Sequence, residues 1–205
     1  MIRGKGLVEG VGINDVDYVV ELRQELPRVG GKRVRKLLWR CPFYQAWRNM
    51  LLRCYNKKYQ RNNPTYEGTS VCALWLYFSN FRAWMEQQDW EGNQLDKDIL
   101  ITGNREYSPE ACSFVDKFTN MFVVDALANK GTSLPGVYWN KNEERFMAQI
   151  SIPKFIDKNG YLGYYDNEYE AHKAYLKAKA ECAVILASRQ SDVRVSEALL
   201  KRFVV

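Results

Sequence analysis

The chain has 205 residues, enough for one large domain or two small ones, and a formal net charge of +6. Hydrophobic residues make up 46% of it and charged residues 26%, which is typical of a folded globular protein and not of a disordered one. No apolar run reaches the roughly 18 residues that a membrane span needs. The first residues do not resemble a signal peptide, so we expect a cytoplasmic protein with no membrane partner.

The cations are concentrated in one stretch of the chain. Residues 26–66 contain eleven Lys and Arg residues and no Asp or Glu, whereas residues 67–125 contain ten carboxylates and four cations. This asymmetry favours a polyanionic partner, and the aromatic residues between the cations favour a nucleic acid. The alternative is a solvated basic surface that pairs with the acidic segment. The cations expected to contact phosphates are Arg48, Arg53, Lys57, Lys58 and Arg61.

The first forty residues combine glycines with cations. Four glycines within the first twelve residues favour an extended or turning start. A glycine pair at positions 30 and 31 interrupts the chain before the cations begin to cluster. We therefore expect residues 1–40 to be a basic N-terminal arm, in which residues 32–40 are mobile and become ordered on a phosphate backbone.

The middle of the chain begins with a helical pattern. Apolar residues at positions 43, 47, 50, 51 and 54 follow Pro42 at helical spacing and predict an amphipathic helix. A second helix is expected to end near residue 88, with residues 71–75 either a short strand or the entry to that helix. Residues 95–100 are typical of a strand, residues 102–104 of a hairpin turn, and residues 116–122 of a closing helix.

The five cysteines include no Cys-x-x-Cys pair. In a cytoplasmic chain we expect them to pack as small hydrophobic side chains and not to form disulfides. The alternative is a zinc site built from four of them, although the usual knuckle spacing is missing. Those four are Cys41, Cys54, Cys72 and Cys112.

The C-terminal part has a clearer pattern. The polar segment 128–132 is the predicted domain boundary. Three short segments near residues 136–140, 145–150 and 161–165 are separated by turn residues, which predicts an antiparallel meander. A helix is expected to begin at Asn167 and to cover one face of this sheet with its alanine-rich side. The tail beyond residue 191 predicts one more short helix.

Residues 136–187 resemble the plant ethylene-response-factor DNA-binding domain, which also occurs in proteins of phages and bacterial mobile elements. The resemblance implies a three-stranded sheet laid in the major groove of DNA, with outward side chains touching bases and phosphates. It covers about a quarter of the chain. The residues that carry it are Gly136-Val137-x-Trp139, Arg145-Phe146-x-Ala148-x-Ile150, Leu162-Gly163-x-Tyr165, Ala171 and Ala174-Tyr175.

Carried over to matching strand positions, this resemblance implies DNA contacts from Trp139, Arg145 and Gln149. Arginine pairs bidentately with guanine and glutamine with adenine, so these side chains suit base recognition. Lys141 and Lys154 are expected to contact phosphates. Trp139 has an alternative place in the hydrophobic core.

A second resemblance covers residues 42–122, which look like a group of phage proteins classed with the HNH nucleases. Its second half is similar to the His-Me finger, in which a ββα unit holds one metal ion. The residues that carry it are Tyr44-x-x-Trp47-x-x-Met50-x-x-Arg53-Cys54-Tyr55, Trp75-x-x-Phe78-x-x-Phe81, Leu95-Asp96-Lys97-Asp98-Ile99-Leu100-x-x-Gly103-Asn104 and Tyr107-Ser108-Pro109-Glu110-x-Cys112-x-Phe114-Val115.

This second resemblance implies Asp96 and Asn120 as metal ligands and Asn104 as the loop asparagine. Lys97 stands where the family has its histidine general base, and the only histidine of the chain, His172, lies elsewhere. Asp98 is the alternative base and a second candidate Mg²⁺ ligand. The sequence therefore leaves two possibilities open, a finger that has lost catalysis and an active Mg²⁺-dependent endonuclease.

Together these patterns predict an α+β chain. We expect a mixed helical, ββα-finger-like HNH domain over residues 41–127, a three-stranded antiparallel sheet packed on one helix over 131–190, and a helical tail over 191–205. The predicted function is a DNA-binding protein of phage or mobile-element origin that resembles a homing endonuclease, with double-stranded DNA as partner. No cofactor is expected apart from Mg²⁺ if the chain is a nuclease. The alternative is an interaction protein that binds a host defence or transcription factor through aromatic residues around Trp75 and Trp84.

Overall fold

A computed structural model describes residues 6–125, 134–151 and 160–204, and it shows a mixed α+β chain. Six α-helices and nine short strands, arranged in four small sheets, lie within the described residues. The chain divides into two compact units, the first comprising residues 1–90 and 103–112 and the second residues 91–102 and 113–205. Within the described ranges, no helix is both long and apolar enough to cross a membrane.

The first unit contains a β-hairpin where the sequence predicts a mobile arm. Strand β1 (Glu21–Val29) pairs antiparallel with β2 (Lys32–Arg40). Gly30 and Gly31 form the turn, both with positive φ, a conformation that glycine adopts without strain and that hairpin turns of two residues require. Residues 32–40, predicted as a mobile segment, form a strand whose backbone is paired with β1.

The segment before the hairpin is also ordered. Ile13 donates its backbone N–H to the carbonyl of Leu76 over 2.8 Å, and the Phe78 N–H donates back to Ile13 over 3.0 Å. Gly12 lies so close to the rings of Trp47 and to Leu51 that an added Cβ would collide with them. Residues near the N-terminus are therefore part of the first unit's packing and not a separate arm.

The helices of the first unit surround an aromatic core. The amphipathic helix predicted from Pro42 is confirmed as α1 (Pro42–Tyr55), which is followed by α2 (Lys57–Asn62). The predicted second helix is shorter than expected, since α3 spans Phe78–Met85 and a 3-10 turn precedes it. The fully buried side chains that join α1 to α3 are Trp47, Met50, Leu51, Trp75, Phe78 and Phe81.

The strands in the middle of the chain pair differently from a tight hairpin. Strand β3 (Ser70–Val71) lies parallel to β5 (Glu106–Tyr107) in the first unit. In the second unit β4 (Gln94–Asp96) lies antiparallel to β6 (Ser113–Val115), and α4 (Lys117–Asp125) follows. The glycine turn at 102–104 therefore does not join two paired strands. In chain order β5 lies between β4 and β6, and α4 follows β6.

The C-terminal meander is confirmed. Strands β7 (Val137–Asn140), β8 (Arg145–Gln149) and β9 (Tyr161–Tyr165) form one antiparallel sheet in that order. Helix α5 (Glu168–Ala187) begins where expected, because the Asn167 side chain accepts the Glu170 N–H over 2.9 Å. The tail forms α6 (Val193–Phe203), capped by the Asp192 side chain.

Helix α5 belongs to two clusters. Its first turns place Ala171 and Ala174 under the sheet, against Val137 and Ala148. Its later turns pack against α4 and α6 through buried residues such as Leu186. The predicted domain 41–127 groups β4, β6 and α4 with α1 and α3, whereas the compact units group them with the C-terminal sheet. The predicted boundary at 128–132 lies outside the described residues.

Candidate nucleic-acid interface

The sheet β7–β9 has one covered face and one open face. Val137, Ala148 and Gly163 are cross-strand partners, and side chains of paired residues lie on the same face. Val137 and Ala148 are buried against α5. Because side chains alternate along a strand, the residues between them lie on the face that α5 does not cover.

The open face contains polar and aromatic side chains from all three strands. Tyr138 is 53% exposed, and the Asn140 amide donates to the Tyr164 hydroxyl over 2.8 Å. Arg145 forms an ion pair with Asp166 at 2.8 Å, and Gln149 is exposed. The register places these side chains on one surface, which we call the open sheet face. Its members are Tyr138, Asn140, Arg145, Met147, Gln149, Tyr161 and Tyr164.

Trp139 does not lie on the open sheet face. It pairs with Phe146, and the two rings make an edge contact with their centroids 4.8 Å apart. Trp139 follows Val137 by two residues, so it projects to the side that α5 covers, although it remains 48% exposed at the end of the strand. This placement agrees with the alternative that the sequence leaves open for Trp139, and its contact with DNA stays a prediction.

The sequence pattern missed Tyr138, Asn140 and Tyr164 as members of this face. The signal that identifies them is their register with Arg145 and Met147, which depends on strand pairing and not on residue type. Lys141 is exposed in the turn between β7 and β8, where the Asn140 carboxamide oxygen accepts two backbone N–H groups. Lys154 lies outside the described residues.

The predicted phosphate contacts of the first unit divide into two groups. Lys57, Lys58 and Arg61 are exposed on α2. Arg48 is only partly exposed and lies 3.7 Å from Glu21. Arg53 makes its contacts within the first unit.

Arg53 is a structural arginine. Its guanidinium lies over the Tyr66 ring, 5.7 Å from the centroid. Burial alone would lower the pKa of Arg53, but its interactions with Tyr107 and Tyr66 raise it above the usual value. Arg53 therefore makes its contacts within the first unit, and its role as a phosphate contact stays a prediction.

The finger residues Asp96, Lys97 and Asp98 form a local network. One Asp96 oxygen accepts the backbone N–H groups of Asp98 and Ile99 at 2.8 and 2.6 Å. Burial raises the pKa of Asp96, and those two backbone hydrogen bonds oppose the shift. The buried Lys97 ammonium lies 2.7 Å from the Asp98 carboxylate.

A second cation faces this network. The pKa of Arg202 is lowered by burial, and the charges of Asp96 and Asp98 partly oppose this. The two carboxylates are thus balanced by Lys97 and Arg202. A divalent cation would have to compete with both for these carboxylates.

The remaining predicted finger residues, Asn104 and Asn120, form hydrogen bonds with other groups of the protein. Asn104 bonds to the backbone of Glu106 within its own loop, its amide nitrogen 2.6 Å from the carbonyl. The Asn120 amide donates to the Gln94 side chain over 2.9 Å. Nowhere in the described parts do three or more His, Cys, Asp or Glu side chains gather in a way that could hold a metal ion. The same is true of the cysteines considered as a zinc site. The residues predicted as catalytic and metal-binding are thus not assembled around one ion.

No protein-family model, no curated protein sequence and no solved structure matches the chain. Both resemblances therefore rest on the quoted residues alone.

Proposed function

We propose that this chain is a double-stranded-DNA-binding protein that contacts the duplex through the open sheet face. The observation that carries the proposal is the strand register, which puts Arg145 and Gln149 together with Asn140 on the face opposite α5. Arginine, glutamine and asparagine are the side chains that read guanine and adenine edges in the major groove. Tyrosine hydroxyls beside them suit phosphate and sugar contacts.

The dimensions of the face support this use. Arg145 and Gln149 are four residues apart on one strand, which corresponds to about 13 Å at the usual rise of a β-strand. Successive base pairs are about 3.4 Å apart along the duplex axis, so the two side chains would span roughly four base pairs. Met147 lies between them on the same face and offers an apolar contact, such as a thymine methyl group would accept.

The ion pair between Arg145 and Asp166 leaves Arg145 able to contact DNA. Both Arg145 and Asp166 are well exposed, and an ion pair of this kind contributes about 0–1 kcal/mol at most. A guanine edge or a phosphate can therefore replace Asp166 at little cost. The exposed cations of α2, Lys57, Lys58 and Arg61, would add phosphate attraction that does not depend on sequence.

The proposal includes the origin that the two resemblances imply, a phage or mobile-element protein with an HNH-like region. In this proposal β4, β6 and α4 act as a scaffold, because Lys97 and Arg202 balance the carboxylates of Asp96 and Asp98. No cleavage step is assigned to them. Supercoiled plasmid incubated with Mg²⁺, Mn²⁺ or EDTA should therefore be retarded on a gel without being nicked.

The test of the open sheet face is a gel-shift titration of mixed-sequence duplex DNA with four proteins. These are the wild type, Arg145→Ala, Gln149→Ala and the control Lys173→Ala, which removes an exposed cation from α5. We expect the two sheet variants to weaken binding by about tenfold or more and the control to change it little. Binding by Arg145→Ala equal to the wild type, or no wild-type binding at low salt, would contradict the proposal. The second result would favour a protein partner.

A further inference from the structure

The net charge of the protein is concentrated in the β1–β2 hairpin. Residues 21–40 contain seven cations and two carboxylates, a net charge of +5 out of +6 for the whole chain. The remaining residues contain 23 cations and 22 carboxylates and are almost neutral, with a net charge of +1. The hairpin is therefore the main source of attraction for a polyanion.

Three cations of the hairpin are paired internally. Glu21 lies 2.6 Å from Arg40 and 2.8 Å from Arg23, and Glu25 lies 3.2 Å from Arg35. The other four cations form no ion pair among the described residues; three of them flank the turn, and the fourth lies in mid-strand opposite Gln24. We call them the tip cations: Arg28, Lys32, Arg33 and Lys36.

One face of the hairpin carries exposed apolar side chains. Leu22 pairs with Trp39 and Leu26 pairs with Val34, so these four side chains share a face, with the pair Gln24–Lys36 between them. Leu22 is 51% and Trp39 is 46% exposed. The hairpin is a sheet of two strands within the described part of the chain, with neither a third strand nor a packed helix on this face.

The shape of the hairpin fits a duplex groove. Nine residues per strand correspond to a ribbon about 30 Å long. Two paired strands lie about 4.8 Å apart, and a ribbon of this width enters the major groove, which is about 12 Å wide. Charge complementarity selects the occupant, since a second copy of the chain would bring the same tip cations together, whereas DNA brings phosphates.

We propose that the β1–β2 hairpin is a second DNA-contacting element, a ribbon that enters a groove of the duplex. The tip cations contact phosphates, and the apolar face around Leu22 and Trp39 lies against sugars and thymine methyl groups. The partner is the one in the proposed function, and the inference rests on that function for its choice of duplex DNA. The surface is different, because it belongs to the first unit and the open sheet face belongs to the second.

The experiment measures how the affinity for a 30-base-pair mixed-sequence duplex depends on salt. The test variant replaces all four tip cations, as Arg28→Gln, Lys32→Gln, Arg33→Gln and Lys36→Gln. The matched control removes four exposed cations of the second unit, Lys117→Gln, Lys173→Gln, Lys177→Gln and Lys201→Gln. Each lost phosphate contact lowers the slope of log affinity against log salt by about 0.9. We expect the test variant to lose about 2 to 4 from the slope and the control to lose less than about 1.

A slope for the test variant equal to the wild-type slope would overturn the inference, whatever the sheet variants show. If Arg145→Ala binds as the wild type does while the test variant loses its slope, the hairpin inference stands and the proposed function of the sheet fails. No DNA binding by the wild type overturns both. A double variant, Lys32→Gln with Arg33→Gln, should lose about half as much slope and provides the same test if the fourfold variant does not fold.

Discussion

The β7–β9 sheet and the β1–β2 hairpin are both antiparallel, and each presents cations beside aromatic side chains. They differ in how far the apolar face of each is covered by other parts of the protein. The sheet has its apolar face buried on α5, where Val137 and Ala148 are almost fully covered. The hairpin leaves Leu22 and Trp39 half exposed. The apolar face of the sheet is therefore covered within the second unit, whereas the hairpin exposes apolar surface among the described residues.

The largest expected effect tests this difference through stability. Tyr175 is buried beside Gly136, where an added Cβ would collide with the tyrosine ring. Tyr175→Ala should lower the free energy of unfolding by about 3 kcal/mol, since it leaves a cavity in the core of the second unit. Trp39→Ala should change it by less than about 0.5 kcal/mol, because half of that side chain is already in water.

Urea unfolding followed by circular dichroism at several wavelengths would measure both variants. A loss of stability in Trp39→Ala as large as that in Tyr175→Ala would contradict the comparison. It would mean that the apolar face of the hairpin is covered in the folded protein.

The next effect separates the two surfaces by the kind of binding that each provides. Substituting Arg145 or Gln149 should change the preference among DNA sequences, by about 1–3 kcal/mol at the affected base pair. Substituting the tip cations should weaken binding to all sequences alike and reduce its salt dependence. Selection of bound duplexes from a random pool, repeated with each variant, would show whether the sheet sets the preferred sequence. A preferred sequence that changes with the tip cations and not with Arg145 would reverse the two roles.

The sequence predicted the elements whose partners are local. Helix α1 was predictable because Trp47, Met50 and Leu51 fall on one face at helical spacing. The three-stranded meander was predictable because turn residues separate short apolar segments. The contacts of Arg53 within the first unit were not predictable, because its partner Tyr107 is far away in sequence. The position of Arg53 off the apolar face of α1 suggested an exposed side chain.

The finger residues show the same limit. Asp96, Lys97 and Asp98 are adjacent, and the resemblance to the HNH finger implies a metal site there. The charge that balances them comes partly from Arg202. Because Arg202 is far away in sequence, no local pattern reveals this interaction. The hairpin was missed for another reason. Its high charge suggested a disordered arm, whereas the alternation of Leu22 and Leu26 with Arg23 and Glu25 is the period of a strand.

The smallest expected effect concerns pH and the base of the hairpin. Burial alone would raise the pKa of Glu21, but the hydrogen bond from Arg23 and the charge of Arg40 lower it below its ordinary value of 4.5. A carboxylate with a lowered pKa stabilises the folded state above its ordinary pKa, and this contribution is lost as the pH falls through the lowered value. We expect the backbone amides of β1 and β2 to lose hydrogen-exchange protection as the pH falls below the ordinary pKa of a glutamate, by an amount corresponding to about 1 kcal/mol or less.

The control for this effect is Glu21→Gln, which removes the carboxylate and keeps the side chain's shape. Its hairpin amides should be less protected than the wild type at neutral pH, and their opening free energy should vary less between neutral and acidic pH. The strands β7–β9 serve as an internal reference, because Glu21 belongs to the first unit and these strands to the second. Equal pH dependence of the hairpin in both proteins would show that Glu21 does not hold its base together. The tip cations would then belong to a ribbon anchored by its backbone pairing alone.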